Sequence, residues 1–448
     1  MNPSTDRGRT AGVVGMGRSG AAAARLLAGC GYSVVGFDSS PASIGTEHMS
    51  RTVFGGFSDF DLKDLSLLVL SPGVPTTAAV SVRACELGVS VIGEVELAWT
   101  NTSADVLAVT GSNGKTTTVE WLSHVIKSSE PAAEAVAAGN MGYAFCDAIL
   151  DNPFCPVFVL ELSSYQLETT VSLRASSAVI LNLTPDHLAR HGTMENYGDA
   201  KARVFLNQEK DDTAILNFDD PLLERYRSIS DGLQMYFSLK EEVALGAWMD
   251  SSGMLLYRDE SCRVEVIHST ELALPGKHNI ANALAVICLA ASYGIPTEKL
   301  VAGLTNFTGV PHRIEPLGMA SGLSWFNDSK STNVDSLKVA LESFNEKVIL
   351  IAGGKEKNSD YSVLNELITK KVKNIVLFGS GAESLSLQWN GTAKILIVGN
   401  LEDAVERVLF LAEREDSVLL SPGCASFDQY VNFEERGDHF KRLVQALK

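Results

Sequence analysis

Short apolar runs and amphipathic stretches alternate along most of the chain, and the alternation falls into three blocks. In the first block, AGVVG, YSVVGFD, LSLLVLSPGVP and VSVIGEVELAW carry β-branched or leucine runs, and RSGAAAARLLAGCG between the first two reads as a helix. Strand-like runs alternating with helical stretches predict a parallel, doubly wound sheet. The second block opens with DVLAVTGSNGKTTTVEWLSHVI, a strand, a glycine loop and a helix with Val119, Leu122 and Ile126 at helical spacing. PVFVLELSS and SAVILNLT add strands, and HNIANALAVICLAASYG reads as an apolar helix stopped by Gly294 and Pro296. The third block starts near TGVPHRIE and holds KVILIAGG, NIVLFGSG, KILIVGN and SVLLSPGCAS. Each of its four runs ends in a Gly- or Ser-bearing turn, which places ligand-facing positions at strand C-termini.

Length agrees with this division, because 448 residues at about 150 per domain suggest three domains. The boundaries read as 1–99, 100–309 and 310–448. A formal net charge of −17 disfavours nucleic acid and anionic membranes as partners and favours small-molecule chemistry. An anionic substrate must then meet locally concentrated Lys, Arg and helix N-termini. The seven cysteines are scattered and contain no C-x-x-C, so neither a disulfide framework nor a zinc cluster is expected. The polar MNPSTDRGRT start has no apolar signal core, and no later run suits a membrane span, which makes the cytoplasm the expected location.

Two glycine loops carry the chemistry. In VVGMGRSG, Gly15, Gly17 and Gly20 fit G-x-G-x-x-G, a turn that sets a nucleotide pyrophosphate on a helix N-terminus. With Asp38 at the next strand end it would also suit a nicotinamide or flavin oxidoreductase. The second loop, TGSNGKTTT, offers Gly111, Ser112, Asn113 and Gly114 as a phosphate cradle, with Lys115 to reach the β- and γ-phosphates. Thr116 is placed to offer its hydroxyl to Mg²⁺, although Val109 stands where the usual phosphate-loop pattern has its first glycine.

Other residues are weaker taken singly. Glu161 at a strand end suits a metal-ligating acid or an ordinary surface glutamate. His187 and His191 have i, i+4 spacing but no H-E-x-x-H or cysteine partner for zinc. Lys201 by itself reads as a solvated helix lysine, and only a carboxylated form would ligate Mg²⁺. In the third block Asp328, Lys330, Ser331 and Thr332, then Lys355 and Lys357, then Ser426 and Phe433, fall at strand exits and point to one ligand-facing rim.

Taken in chain order, VVGMGRSG, LSPGVP, TGSNGKTTT, GNMG, ELSSYQLE, DHLARHGTMENY, AKARVF, GKHNIANALA, GVPHRIE, NDSKSTN and SPGCASFDQYVNFEERG resemble the Mur ligase family over nearly the whole chain. NDSKSTN matches the D-glutamate-adding members, where related ligases carry a D-x-A-H type sequence. FDSS departs from the family pattern, in which a basic residue often follows the acid.

The resemblance implies an α/β fold with a Rossmann-like N-terminal domain, a central P-loop ATPase-type domain and a Rossmann-like C-terminal domain. It implies an ATP-driven ligase of peptidoglycan precursor synthesis that joins D-glutamate to UDP-N-acetylmuramoyl-L-alanine through an acyl phosphate. A monomer closing its domains on substrate is expected.

It implies roles for named residues too. Lys115, His187, Lys201 and Lys330 would be catalytic, with Gly111 to Thr117, Asn282, Arg313 and Asp328 at ATP. Thr116, Glu161, His187 and a carbamylated Lys201 would serve two Mg²⁺ ions. Gly15, Met16, Gly17, Arg18, Ser19, Asp38, Ser71, Pro72, Gly73 and Asn140 would face the UDP-sugar. Thr332, Ser426, Phe433 and, on spacing, Lys357 rather than Lys355 would hold D-glutamate. An oxidoreductase reading leaves the second loop and NDSKSTN unexplained. A non-catalytic nucleotide-binding module leaves Lys115, Glu161, His187 and Lys201 together unexplained.

Overall fold

Each block of apolar runs folds into its own sheet with helices packed against it, giving a three-domain α/β protein. The structure is a computed structural model and describes residues 9–39, 46–130, 132–140, 142–344, 346–356 and 359–448.

The first sheet contains β1 (Thr10–Val14), β2 (Ser33–Asp38), β3 (Arg51–Phe54), β4 (Leu65–Leu70) and β5 (Ser90–Gly93). Their order is β3-β2-β1-β4-β5, and all pairs are parallel. Strand order reverses between β1 and β4, so the turns after these two strands flank the crevice where such sheets bind ligands.

The second sheet holds β6 (Asp105–Thr110), β7 (Val136–Gly139), β8 (Val157–Glu161), β9 (Ser177–Ile180), β10 (Thr213–Asn217), β11 (Leu233–Ser238), β12 (Gly246–Met249), β13 (Met254–Arg258) and β14 (Arg263–His268). They run in the order β14-β13-β12-β11-β10-β9-β6-β8-β7. β6 lies between β8 and β9, where its neighbours shield both edges, and it is buried from Val106 to Thr110. β12, β13 and β14 are an antiparallel extension. In β14 exposed and half-buried residues alternate from Arg263 to Val266 before the buried Ile267, unlike the continuous buried runs of the central strands.

The third sheet contains β15 (Glu315–Ala320), β16 (Leu323–Asn327), β17 (Val348–Gly353), β18 (Val372–Phe378), β19 (Lys394–Ile397) and β20 (Ser417–Gly423), in the order β15-β16-β20-β17-β18-β19. Only β15 is antiparallel to its neighbour.

The chain forms two compact units, Met1–Thr308 and Gly309–Lys448. Within the first unit, the first two sheets share one apolar core: Ala23, Leu27 and Val95 from the first block are buried in one cluster with Phe145, Ile149 and Leu173 from the second. Two carboxylates cross this seam. Glu96 accepts hydrogen bonds from the backbone of Val171 (2.8 Å), Ser172 (2.8 Å) and Leu173 (3.2 Å) and from the Ser172 hydroxyl (2.5 Å). Glu94 accepts from the backbone N–H of Cys146 at 2.6 Å, in the first turn of helix Phe145–Asp151. Arg25 adds ion pairs to Asp147 and Asp151 at 3.0 and 2.7 Å. No helix among the described residues is long and apolar enough to cross a membrane.

Candidate active site

The second glycine loop lies where its sequence predicts, between β6 and helix Lys115–Ser129. Val119, Leu122 and Ile126 all turn into the core. Gly114 caps that helix in the left-handed region, with φ 85°, and a Cβ there would stand 2.5 Å from Oδ1 of Asn282. Only glycine satisfies both the backbone and the close approach of the asparagine. The loop is stapled from outside. Asn182 accepts from the Asn113 N–H at 2.8 Å and donates to the Asn113 carbonyl at 3.1 Å. The Ser112 hydroxyl donates to the Thr184 carbonyl, accepts from the Thr184 N–H at 2.9 Å and lies 3.1 Å from the Tyr197 hydroxyl.

Around this loop, residues far apart in sequence converge. The Thr116 hydroxyl donates to Glu161 at 2.6 Å, and the Asn140 amide donates to the other Glu161 oxygen at 2.9 Å. Glu161 ends β8 and is 3% exposed, which removes the surface-glutamate reading. Asn140, expected at the UDP-sugar, therefore also fixes the acid beside the phosphate loop. The Lys115 ammonium donates to the carbonyls of Gly111 and Ser112 at 2.9 and 2.8 Å.

Lys201 is 2% exposed, so the solvated-lysine reading is also removed. Its nitrogen donates to the Gly111 carbonyl at 2.8 Å and lies 4.6 Å from the centre of the Tyr197 ring. Burial, then the neighbouring Lys115 charge, push the Lys201 amine well below the usual lysine range. Tyr197 precedes Lys201 by four positions on helix Met194–Ala202, a same-face spacing that is visible in the sequence.

His187 stands apart from this buried set. It is exposed, caps helix Leu188–His191 in the left-handed region with φ 54°, and pairs with Asp186 at 3.3 Å. Such backbone in a histidine is strained and is concentrated at working sites. His191, by contrast, is buried and hydrogen-bonded to Ser164 at 2.9 Å. Among the described residues no three His, Cys, Asp or Glu side chains gather as metal ligands.

At the first glycine turn, the third glycine is fixed by contact: a Cβ on Gly20 would stand 1.9 Å from the Gly15 carbonyl oxygen. The Ser71 hydroxyl donates to that same oxygen at 2.6 Å, so Gly15 to Gly17 and the Ser71-Pro72-Gly73 turn are joined across the crevice. Arg18 and Ser19 open helix Arg18–Gly29, and Arg18 also approaches the Gly142 carbonyl at 3.4 Å. Asp38 accepts from the Met16 N–H at 2.7 Å, and this acid therefore shapes the turn itself.

In the second compact unit, the loop after β16 and the segments after β17 and β20 form the rim. Asp328 is buried and accepts from the Ser421 hydroxyl at 2.7 Å and the Ile314 N–H at 3.2 Å. Burial raises its carboxyl to about 7. Arg313 lies between His312 and Ile314, both at positive φ, which marks a strained segment beside Asp328. The Lys330 ammonium is 5.6 Å from the Phe433 ring centre. Thr332 is half-buried just before helix Val334–Glu342, and Ser426 is buried. Lys355 pairs its backbone with Ala425 at 2.8 and 3.1 Å, next to Ser426. Lys357 lies outside the described residues.

Sequence reasoning missed Arg436. Its guanidinium is fully buried and donates to the Ser329 hydroxyl (3.0 Å), the Ser329 carbonyl (2.8 Å) and the Cys424 carbonyl (3.1 Å). FEERG contains it, but a helical charged run gives no sign of burial.

Comparison with known proteins follows the same division of the chain. Residues 9–93 match the family described as Mur ligase MurD-like, N-terminal domain; 109–290 match the Mur ligase middle domain; and 312–424 match the Mur ligase, glutamate ligase domain. A UDP-N-acetylmuramoylalanine–D-glutamate ligase of Pelotomaculum thermopropionicum is 39% identical over 445 residues, covering 97% of each chain. The ligase of the same name from Caldanaerobacter subterraneus is 36% identical, over 97% of this chain and 98% of the relative. The crystal structure of MurF ligase from Thermotoga maritima in complex with ADP shares the fold with a TM-score of 0.57 at 18% identity, covering 99% of this chain and 97% of that one. With all three domains matched in order and relatives identical at more than a third of positions, the chain belongs to the Mur ligase family, in its MurD-like branch.

Proposed function

We propose that the protein is an ATP-dependent ligase that joins D-glutamate to UDP-N-acetylmuramoyl-L-alanine. ATP phosphorylates the L-alanyl carboxylate, the D-glutamate amine attacks the acyl phosphate, and collapse of the tetrahedral adduct gives the amide, ADP and phosphate. The observation that carries the reading is the cluster at the phosphate loop, in which Thr116, Asn140 and the buried Glu161 form one hydrogen-bonded set beside Lys115 and the buried Lys201.

Each residue has a task in this chemistry. The loop from Gly111 to Thr117 cradles the phosphates, with backbone N–H groups from Gly114 to Thr117 at the helix start donating to their oxygens, and Lys115 exchanges its loop carbonyls for the β- and γ-phosphates. Thr116 and Glu161 present hard oxygen donors in direct contact, a set that suits Mg²⁺. When bound there, Mg²⁺ neutralises charge that develops on the transferred phosphoryl group. A second ion would be held by Glu161, His187 and Lys201 as its carbamate. The Lys201 burial favours that modification, because a neutral amine is the form that adds CO₂.

Asn282, Arg313 and Asp328 are assigned to ATP, and Lys330 to the reacting phosphate. Gly15 to Ser19, Asp38, the Ser71–Gly73 turn and Asn140 are assigned to the UDP-sugar. Thr332, Lys357, Ser426 and Phe433 are assigned to D-glutamate. On this reading the enzyme is a cytoplasmic monomer.

The test is phosphate release from ATP with Mg²⁺ and UDP-N-acetylmuramoyl-L-alanine, comparing D-glutamate with L-glutamate, L-alanine and a diamino acid. Release that requires D-glutamate is expected. Release that is independent of it, or equal with another amino acid, overturns the assignment.

A further inference from the structure

The residues assigned to D-glutamate and to the reacting phosphate in the second unit lie on separate segments. Lys330 and Thr332 follow β16, Ser426 follows β20, and Phe433 opens helix Phe433–Gln445. Arg436 ties three of these segments together. Nε and Nη2 hold the hydroxyl and carbonyl of Ser329, the residue before Lys330, and Nη1 holds the Cys424 carbonyl, two residues before Ser426. The Ser329 hydroxyl passes the contact on, donating to the Phe433 carbonyl at 2.8 Å. The glycine segment before Lys355 is also against it, since a Cβ on Gly354 would stand 3.1 Å from Nη1.

The partners of this guanidinium are a hydroxyl and two carbonyls, not carboxylates. Burying a cation on neutral acceptors is expensive compared with an apolar residue of the same size. A planar fork, however, is able to reach three acceptors in fixed directions, which a lysine ammonium on its flexible stem does not reproduce. Asp428 and Asp328 act on the charge electrostatically without pairing with it directly among the described residues.

We propose that Arg436 is a positioning residue that locks these segments in register and supports the carboxylates of the amino-acid substrate without touching them. The inference rests on the D-glutamate ligase reading above. Its prediction is a split in kinetic constants. Arg436→Lys keeps charge but loses the fork, and KM for D-glutamate rises by about tenfold or more, while KM for ATP stays within about twofold. The fall in kcat is smaller than the rise in KM for D-glutamate. Ser329→Ala removes the hydroxyl that links Nε to Phe433 and shifts the same constant in the same direction, by about threefold or more.

Steady-state phosphate release, with thermal unfolding of each variant alongside, reads all of these. An unchanged KM for D-glutamate with reduced kcat is the mark of a merely structural arginine and overturns the inference. Parallel rises in the KM values for ATP and D-glutamate overturn it too. If Arg436→Lys does not fold, Ser329→Ala decides by the same criteria. A wild-type enzyme without D-glutamate-dependent release refutes the ligase reading instead, so the two failures are distinct.

Discussion

Glu94 makes the stability of the first unit depend on pH in a direction that burial dictates. Its carboxyl is 2% exposed in the seam between the first two sheets, and one oxygen accepts from Cys146 N–H while the other has no hydrogen-bond partner. Burial raises it from 4.5 to about 7, with the Cys146 N–H opposing and the Asp147 charge reinforcing the shift. The folded state therefore holds the proton more tightly than the unfolded chain. Stability from this group is fully present below pH about 4.5 and is lost as pH rises to about 7.

A shift of roughly 2.5 units corresponds to about 3 kcal/mol at 1.36 kcal/mol per unit. Glu94→Gln keeps the acceptor for Cys146 and resembles the protonated acid in size and charge. Denaturant unfolding of wild type and variant should coincide near pH 4, and the variant should be more stable by up to about 3 kcal/mol near pH 8. A difference between the two proteins that is constant from pH 4 to 8 refutes the argument. A variant that is less stable at pH 8 refutes it as well.

Lys201→Ala should lose activity and regain part of it on adding short-chain carboxylic acids, because such an acid replaces the carbamate oxygens. Full activity in the unsupplemented variant refutes the carbamate role. Glu96→Ala leaves the Val171, Ser172 and Leu173 N–H groups without their acceptor. The expected loss is about 3 kcal/mol, or about 5 °C in the unfolding midpoint. A scanning-calorimetry midpoint within about 1 °C of wild type would show that the clamp adds nothing.

What was legible in the sequence is what contiguous residues specify. The phosphate loop needs a buried strand, two permissive glycines and a helix start, and all of these lie between Asp105 and Ser129. The same holds for the turn after β1 and for the strand-end rim of the third block. Asn182 and Thr184 were not legible, because they reach the loop from the next strand over, about 70 residues on. The burial of Lys201 was not legible for a related reason: MENYGDAKA shows no apolar stripe, and its lysine is buried by Tyr197 one turn earlier and by the phosphate loop, which is distant in sequence. Arg436 is hidden in the same way inside an acidic helical run. The antiparallel β12–β14 extension depends on pairing partners that no local period encodes.

A chain of net charge −17 nevertheless buries two basic side chains beneath loops assigned to its substrates. Each donates to backbone carbonyls rather than pairing directly with a carboxylate. Burial lowers both, but with different results. Burial and the Lys115 charge favour the neutral Lys201 amine, the form that would add CO₂ on the proposed reading. An arginine pushed down only to about 10 keeps its charge at neutral pH and stays a fixed donor. Exchanging the two residue types should therefore fail at both positions: an arginine at 201 has no amine to modify, and a lysine at 436 has no fork.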